Sequence, residues 1–327
     1  MSAIAPWIAA QRDQLLAQRG HAWLLQGPSG LGQFELALEL VRAWLCDAPS
    51  PHGACGQCGS CHAVAVHTHA DLCVLMPETV MLALGWPLPE KAQSEIDDKK
   101  RKPSREIRVE AMRDAVEFCQ RTSARGRGKA VLVYPAEQMN TITANALLKT
   151  LEEPPGDTRF VLASDAAHAL PATIRSRCCA YSLAPVAEEV CAAYLKKHFP
   201  KEPEAARYAA LFGGKIGSAK RCLEDAAGRT LLLDALKLAG LAEKQDVYGA
   251  LALLSKYEKD RAGTQALLGL LLNVCSASLR GSEAAQSPVS PARAARCAGE
   301  AGKTARLLAG NVSGKLALTC LAARLTA

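Results

Sequence analysis

The opening stretch, MSAIAPWIAAQRDQLL, lacks a basic start followed by an apolar core, so a secretory leader is not expected. No apolar run reaches the roughly 18–20 residues that a membrane span needs, which speaks against a membrane protein. Strand-like patterning is absent after residue 180, and no internal repeat is visible. The glycine loop GPSGLGQF lacks the lysine and the hydroxyl that phosphate chemistry asks of such a loop. The strand KAVLVY lacks the acidic end that would hold magnesium.

What is present describes an ordinary globular chain. Its 327 residues suggest two or three domains. With 49% apolar and 22% charged residues it can bury sizeable cores. The net charge of +7 permits contact with nucleic acid without demanding it. A cytoplasmic location is expected, where the 13 cysteines are thiols or metal ligands rather than disulfides. Six scattered ones, Cys73, Cys119, Cys191, Cys222, Cys275 and Cys320, read as small core residues.

The first part alternates strand and helix signals. AWLLQ, HADLCVLMP, KAVLVY and RFVLAS read as strands. Between them, a helix runs from the glycine loop through residue 45. RVEAMRDAVEFCQR is amphipathic, with Val109, Met112, Val116 and Phe118 on or near one face. TANALLKTLEE is a helix stopped by Pro154 and Pro155. This alternation predicts a parallel sheet with helices on both faces. Residues 86–105 are polar and proline-punctuated and read as an exposed loop. Residues 186–225 read as short helices broken at HFPKEP and FGGKIGS, and longer Leu- and Ala-rich helices follow from 226, interrupted at 280–293.

Four cysteines have metal spacing: Cys46, eight residues, Cys55, two residues, Cys58, two residues, Cys61. Two-residue gaps let neighbouring thiolates turn back onto one ion, and a fourth thiolate completes a tetrahedron. Such a site has no open position, so it implies structural zinc. Gly53, Gly56 and Gly59 would supply its tight turns. The bacterial iron–sulfur spacing would need a cysteine at 65, where Ala65 stands. Four reduced surface thiols are the competing reading, disfavoured because exposed thiols are a liability. His52, His62, His67 and His69 read as solvent-facing residues or supports rather than ligands.

In GPSGLGQF, Gly27 and Gly32 keep the phosphate-loop spacing, but Gln33 replaces the lysine and Phe34 the serine or threonine. In VYPAEQ, Tyr134 and Pro135 stand where acidic residues would, and Glu137 lies further on. A cofactor-free loop kept as scaffold is therefore expected, with no nucleotide bound by this chain and no hydrolysis.

HAWLLQGPSGLG, the four-cysteine insert, THAD, NALLKTLEEPP and TIRSRC occur in that order, and the chain resembles the AAA+ clamp-loader family of bacterial DNA polymerase III. The likeness is close over residues 1 to about 225; beyond, only length and helical character match. The resemblance implies an α/β then all-α chain. An AAA+ parallel-sheet domain would span 1–180 with its zinc module at 46–61, a small helical lid 181–225, and a helical collar for oligomerisation 226–327. It implies a hetero-pentamer with clamp-loader motor and delta subunits, which opens the sliding clamp and places it on primed DNA. Within it this chain would be non-catalytic, an accessory to a DNA-directed DNA polymerase. Through Ser176, Arg177 and Cys178 it would lend Arg177 as an arginine finger to ATP on a neighbouring motor subunit. Without the resemblance, Arg177 reads as a local ion pair at a strand end. Lys220, where motor relatives carry a nucleotide-sensing arginine, reads as a solvated helix residue.

Two other readings compete. An active AAA+ ATPase motor subunit is opposed by Gln33, Phe34, Tyr134 and Pro135. A zinc-dependent nucleic-acid-binding protein is opposed by the absence of a recognition helix or a basic, aromatic-interleaved stretch.

Overall fold

Five short runs pair into one sheet: β1 (Ala22–Gln26), β2 (Leu72–Leu75), β3 (Lys129–Val133), β4 (Thr158–Ser164) and β5 (Cys179–Ser182), in the order β2-β3-β4-β1-β5. Every pairing is parallel, with Ala22 opposite Phe160 and Lys129 opposite Thr158. The computed structural model describes residues 4–202, 204–309 and 312–326. The first three residues of the N-terminal stretch, and Pro203 of HFPKEP, lie outside the described residues. The chain divides into two units, residues 1–184 and 185–327.

In the first unit the connections are filled by α1 (Pro6–Leu16), α2 (Gln33–Leu45), α3 (Gly59–Ala65), α4 (Glu78–Ala83), α5 (Glu90–Asp97), α6 (Val109–Gln120), α7 (Thr141–Glu152) and α8 (Ala172–Arg175). Alternation along the strands sorts side chains to two faces. Trp23, Leu25, Leu132 and Val161 pack on one side against α1 and α2, where Leu15, Leu36, Leu40 and Trp44 meet them. Leu24, Val133, Phe160 and Leu162 pack on the other against Met112 of α6 and Leu147 and Leu151 of α7. Two covered faces leave no polar side, so the central strands read as unbroken apolar runs.

The structure departs from the sequence reading in five places. On α6 the buried residues are Met112, Ala115 and Cys119, while Val109, Val116 and Phe118 are only partly covered; small side chains let the helix approach the sheet. Residues 86–105 are not loop throughout. They contain α5, and Arg101 holds the segment by pairing with Glu78 at 2.5 Å and Glu95 at 2.7 Å. A further strand, β5, follows the expected four; as a short, exposed edge strand it carries no apolar run. Cys320 is exposed and Cys73 half-buried, so neither is a fully buried core residue.

The fifth departure lies in the second unit. It comprises α9 (Glu188–His198), α10 (Ala205–Phe212), α11 (Ile216–Glu224), α12 (Ala226–Glu243), α13 (Val247–Ser255), α14 (Arg261–Leu279), α15 (Pro291–Ala309) and α16 (Gly314–Thr326). Among the described residues α14 is long and apolar enough to cross a membrane by length and composition, contrary to the sequence reading. It packs against α10, α12 and α15, and its Leu267, Leu268, Leu271, Val274 and Cys275 are buried. A core helix meets the same criterion.

One buried carboxyl organises the N-terminal edge of the sheet. Asp71, 1% exposed, sits just before β2. It accepts hydrogen bonds from the Ala124 amide at 2.7 Å, the Arg125 amide at 2.9 Å and the Ser123 hydroxyl at 3.1 Å. It thereby fixes the turn that leads into β3. Asp71→Ala would strand these donors, and we expect it to cost about 2–4 kcal/mol. Urea unfolding checks this; an unchanged midpoint would mean that the turn is held by other contacts.

Candidate functional site

The four cysteines come together because two helix ends meet. Cys46 caps the C-terminus of α2, and Cys58 caps the N-terminus of α3, whose third residue is Cys61. All four Sγ atoms lie within 4.8 Å of one another. Separations are 3.8 Å for Cys46–Cys58, 3.9 Å for Cys55–Cys61 and 3.7 Å for Cys61–Cys46. A tetrahedron of sulfurs about 2.3 Å from a central ion has edges of about 3.8 Å. A disulfide would need sulfurs at about 2.05 Å. The donor set therefore fits one tetrahedral metal ion.

Backbone amides favour negative sulfur here. The Cys55 amide donates to the Cys46 sulfur at 3.2 Å, and the Cys61 amide to that of Cys58 at 3.4 Å. Amides of Gln57 and Cys58 hold the exposed Cys55 thiol down at about 6. Burial pushes Cys46 up and Cys61 up to about 12, so a cation is what would keep all four as thiolates together. Of the three glycines, Gly53 and Gly56 have positive φ (98° and 75°) and make the turns. Gly59 instead lies in the first turn of α3. A Cβ at Gly53 would also stand 2.9 Å from the Arg12 side chain.

Three of the four nearby histidines are engaged elsewhere. His52 pairs with Asp13 at 2.8 Å, His67 stacks on Trp86 with ring centroids 3.8 Å apart, and His69 accepts from the Asp71 amide at 3.0 Å. An unforeseen brace ties the module to the sheet. The Ser60 hydroxyl donates to Asp47 at 2.6 Å and receives Arg125 at 3.2 Å, and Arg125 belongs to the turn that Asp71 holds.

The glycine loop follows β1 and leads into α2. Gly32, at φ 98°, occupies the N-cap of α2; a Cβ there would lie 2.7 Å from Ile8. Gln33 is 2% exposed, and its side-chain amide donates to the carbonyls of Gly27 at 2.7 Å and Pro28 at 2.8 Å. It turns back into its own loop, spending both amide hydrogens there. Phe34 packs against Tyr134 with ring centroids 5.1 Å apart. The two residues in place of the metal-side hydroxyl and the acidic strand end are thus in contact. Glu137 accepts from the Ser164 hydroxyl at 2.7 Å and the Asp165 amide at 3.2 Å. None of these contacts was legible from the motif, because each joins distant segments or depends on a rotamer.

Ser176, Arg177 and Cys178 lie between α8 and β5. Arg177 pairs with Glu152, at the end of α7, and donates to the Thr173 carbonyl at 2.8 Å. The SRC and LEEPP motifs therefore touch, and the local ion pair of the alternative reading is present. Both side chains are partly exposed, at 31% and 46%, so the pair is worth no more than about 1 kcal/mol and the guanidinium is free to change partner. Ser176 donates to the Thr173 carbonyl at 3.2 Å. Burial, then the neighbouring Cys179, pushes the Cys178 thiol up to about 12, so it is an inert packing group. Lys220 is partly exposed and meets Glu224 at 3.6 Å one helical turn away.

Comparison with known proteins adds three findings. The family described as DNA polymerase III, delta subunit, matches residues 9–187. A Pseudomonas aeruginosa protein named DNA polymerase III subunit delta' is 39% identical over 225 residues, 68% of this chain and 62% of its own length. Escherichia coli and Yersinia pestis proteins of the same name are 34% and 33% identical, over 61% and 82% of this chain and 54% and 75% of theirs. The matched region thus spans less than two thirds of the P. aeruginosa and E. coli relatives.

Proposed function

The chain belongs to the family described as DNA polymerase III, delta subunit, and from that premise we propose that it is a non-catalytic clamp-loader subunit of the delta-prime kind. In this reading it is an accessory to the polymerase rather than an enzyme by itself. It works in the cytoplasm with motor and delta subunits to place a sliding clamp on primed DNA. Residues 1–180 form its AAA+ domain, 181–225 a lid, and 226–327 the collar that joins the ring.

The observation that carries the reading is the closure of the loop by its own residues. A nucleotide would need a cation at position 33, but the Gln33 amide is bonded to the loop carbonyls. Magnesium would need oxygens near positions 34 and 134, and two packed rings stand there. The loop survives as scaffold.

Sheet direction supports a finger acting in trans. The loop leaves the C-terminal end of β1, whereas Arg177 precedes β5, at the opposite edge of the same parallel sheet. Each strand residue advances about 3.3 Å, so the five residues of β1 set the edges about 16 Å apart. Arg177 therefore lies at the edge remote from its own loop, with its guanidinium on Glu152 and the Thr173 carbonyl. Its planar, permanently charged fork suits a γ-phosphate.

The ion held by Cys46, Cys55, Cys58 and Cys61 is structural zinc, supported by a donor set of sulfur alone at tetrahedral spacing. Elemental analysis should return one zinc per chain; iron, or no metal, would refute this. Calorimetry with Mg-ATP should show no binding at micromolar concentration, and micromolar affinity would mean that the loop amides suffice alone.

The role of Arg177 is tested in reconstituted complexes. Arg177→Ala should move the unfolding free energy by no more than about 1 kcal/mol, as expected for an exposed pair. Gel filtration should show intact assembly. ATP turnover at the neighbouring site should fall by about 10³-fold, with total clamp-stimulated ATPase reduced by that site's share. Equal turnover and equal clamp loading would leave Arg177 a local ion pair.

A further inference from the structure

The N-terminal edge of the sheet carries a basic hollow that neither the loop, the metal module nor the finger uses. Two adjoining depressions, about 400 Å³ and about 320 Å³, share Arg19, Gly20 and Arg159 as walls. They exist because β1 and β4 are hydrogen-bonded neighbours, with the Phe160 amide donating to the His21 carbonyl at 2.6 Å. That pairing brings the end of the α1–β1 turn beside the start of β4.

Arg159 is the anomaly. Six of the seven residues of β4 are buried, and Arg159 alone is exposed. Its guanidinium lies 5.8 Å from the centre of the Trp44 ring, which steers it along the wall of the second depression. Arg19 is exposed on the same rim. Among the described residues neither arginine makes an ion pair or a hydrogen bond, although the carboxylate of Asp157 lines the first depression. Two unpaired forks converging on one concavity are ready for one planar oxyanion.

We propose that this hollow binds an acidic peptide segment of a protein partner, with a carboxylate side chain between Arg19 and Arg159 and an adjacent apolar side chain in the Trp44-walled depression. The volumes suit one or two side chains. Leu16 supplies apolar contact in the second depression, and the buried Trp23 and Trp44 form its floor. Asp157 repels a second anion, so the segment carries one carboxylate at this point, not a run of them. Nucleic acid fits less well. A backbone would need a track of cations, and base stacking needs open ring faces, whereas Trp23 and Trp44 are 4% and 7% exposed.

The test uses the full chain and the blocked peptide acetyl-Glu-Leu-Phe-amide, followed by calorimetry and tryptophan fluorescence. Binding should weaken at least about ten-fold in Arg19→Ala and in Arg159→Ala, the worth of one charged hydrogen bond. Arg159→Lys should recover part of it, because charge returns without the fork. Replacing the peptide's Glu by Gln should cost as much as removing an arginine. Arg127→Ala, exposed on another turn at this edge, should change nothing. Both target arginines are exposed and unpaired, so urea midpoints should match the parent and separate lost binding from lost fold. Absence of binding at millimolar peptide, or equal affinity across the arginine variants, would overturn the proposal. Tighter, Arg159-dependent binding of a thymidine dodecamer would overturn it in favour of nucleic acid.

Discussion

All five strands run the same way, and the arrangement of the first unit depends on that. In a parallel sheet every strand exit lies at one edge and every strand start at the other. The glycine loop, Tyr134 and Ser164 sit at the exits of β1, β3 and β4. The turn held by Asp71, the Arg177 motif and the Arg19–Arg159 hollow sit at the starts of β3, β5, β4 and β1. Helix α2 then carries the chain back across the sheet, so Cys46 emerges beside the starts rather than the exits. The closed loop is thereby kept on the edge opposite to Arg177 and the Arg19–Arg159 hollow. Apolar helical layers cover both faces of the sheet and hold its strands in this frame.

The metal module is braced into this frame. Its own contribution to packing is small, since α3 is short. The four-cysteine cluster joins the end of α2 to the start of α3, Asp47 and Ser60 pass the connection to Arg125, and Asp71 fixes Arg125's turn next to β3. Each bond is worth about 1 kcal/mol by itself. Arranged in series they make an insert and a distant turn share one geometry, which a string of isolated surface contacts would not do.

How much of this was legible depended on how local each signal was. The central strands announced themselves because FVLA and AVLV are buried on both faces. The cysteine spacing was legible because all four ligands fall within one short segment. Strand β5 was not, because an exposed edge strand such as CAYS has neither an apolar run nor clean alternation. Helix α5 was missed because its sequence is polar and its anchor, Arg101 on Glu78, is tertiary. The identities of Gln33 and Phe34 could be read directly. Their partners could not, since Phe34 and Tyr134 meet only when β1 and β3 are in the same sheet. Arg19 and Arg159 share a hollow for the same kind of reason: the β1–β4 register joins them, and no motif does.

The contact between Phe34 and Tyr134 constrains substitution at both positions. A hydroxyl introduced at 34 would leave the Tyr134 ring unpacked, and an acidic group introduced at 134 would face the ring of Phe34. A lysine at 33 would lose the amide that now ties Gly27 and Pro28. No single one of these substitutions is neutral, because each side chain is part of its neighbours' packing or hydrogen bonding. Opening this loop to a phosphate is therefore not a one-residue change: the Phe34–Tyr134 contact and the Gln33 hydrogen bonds would have to be replaced together.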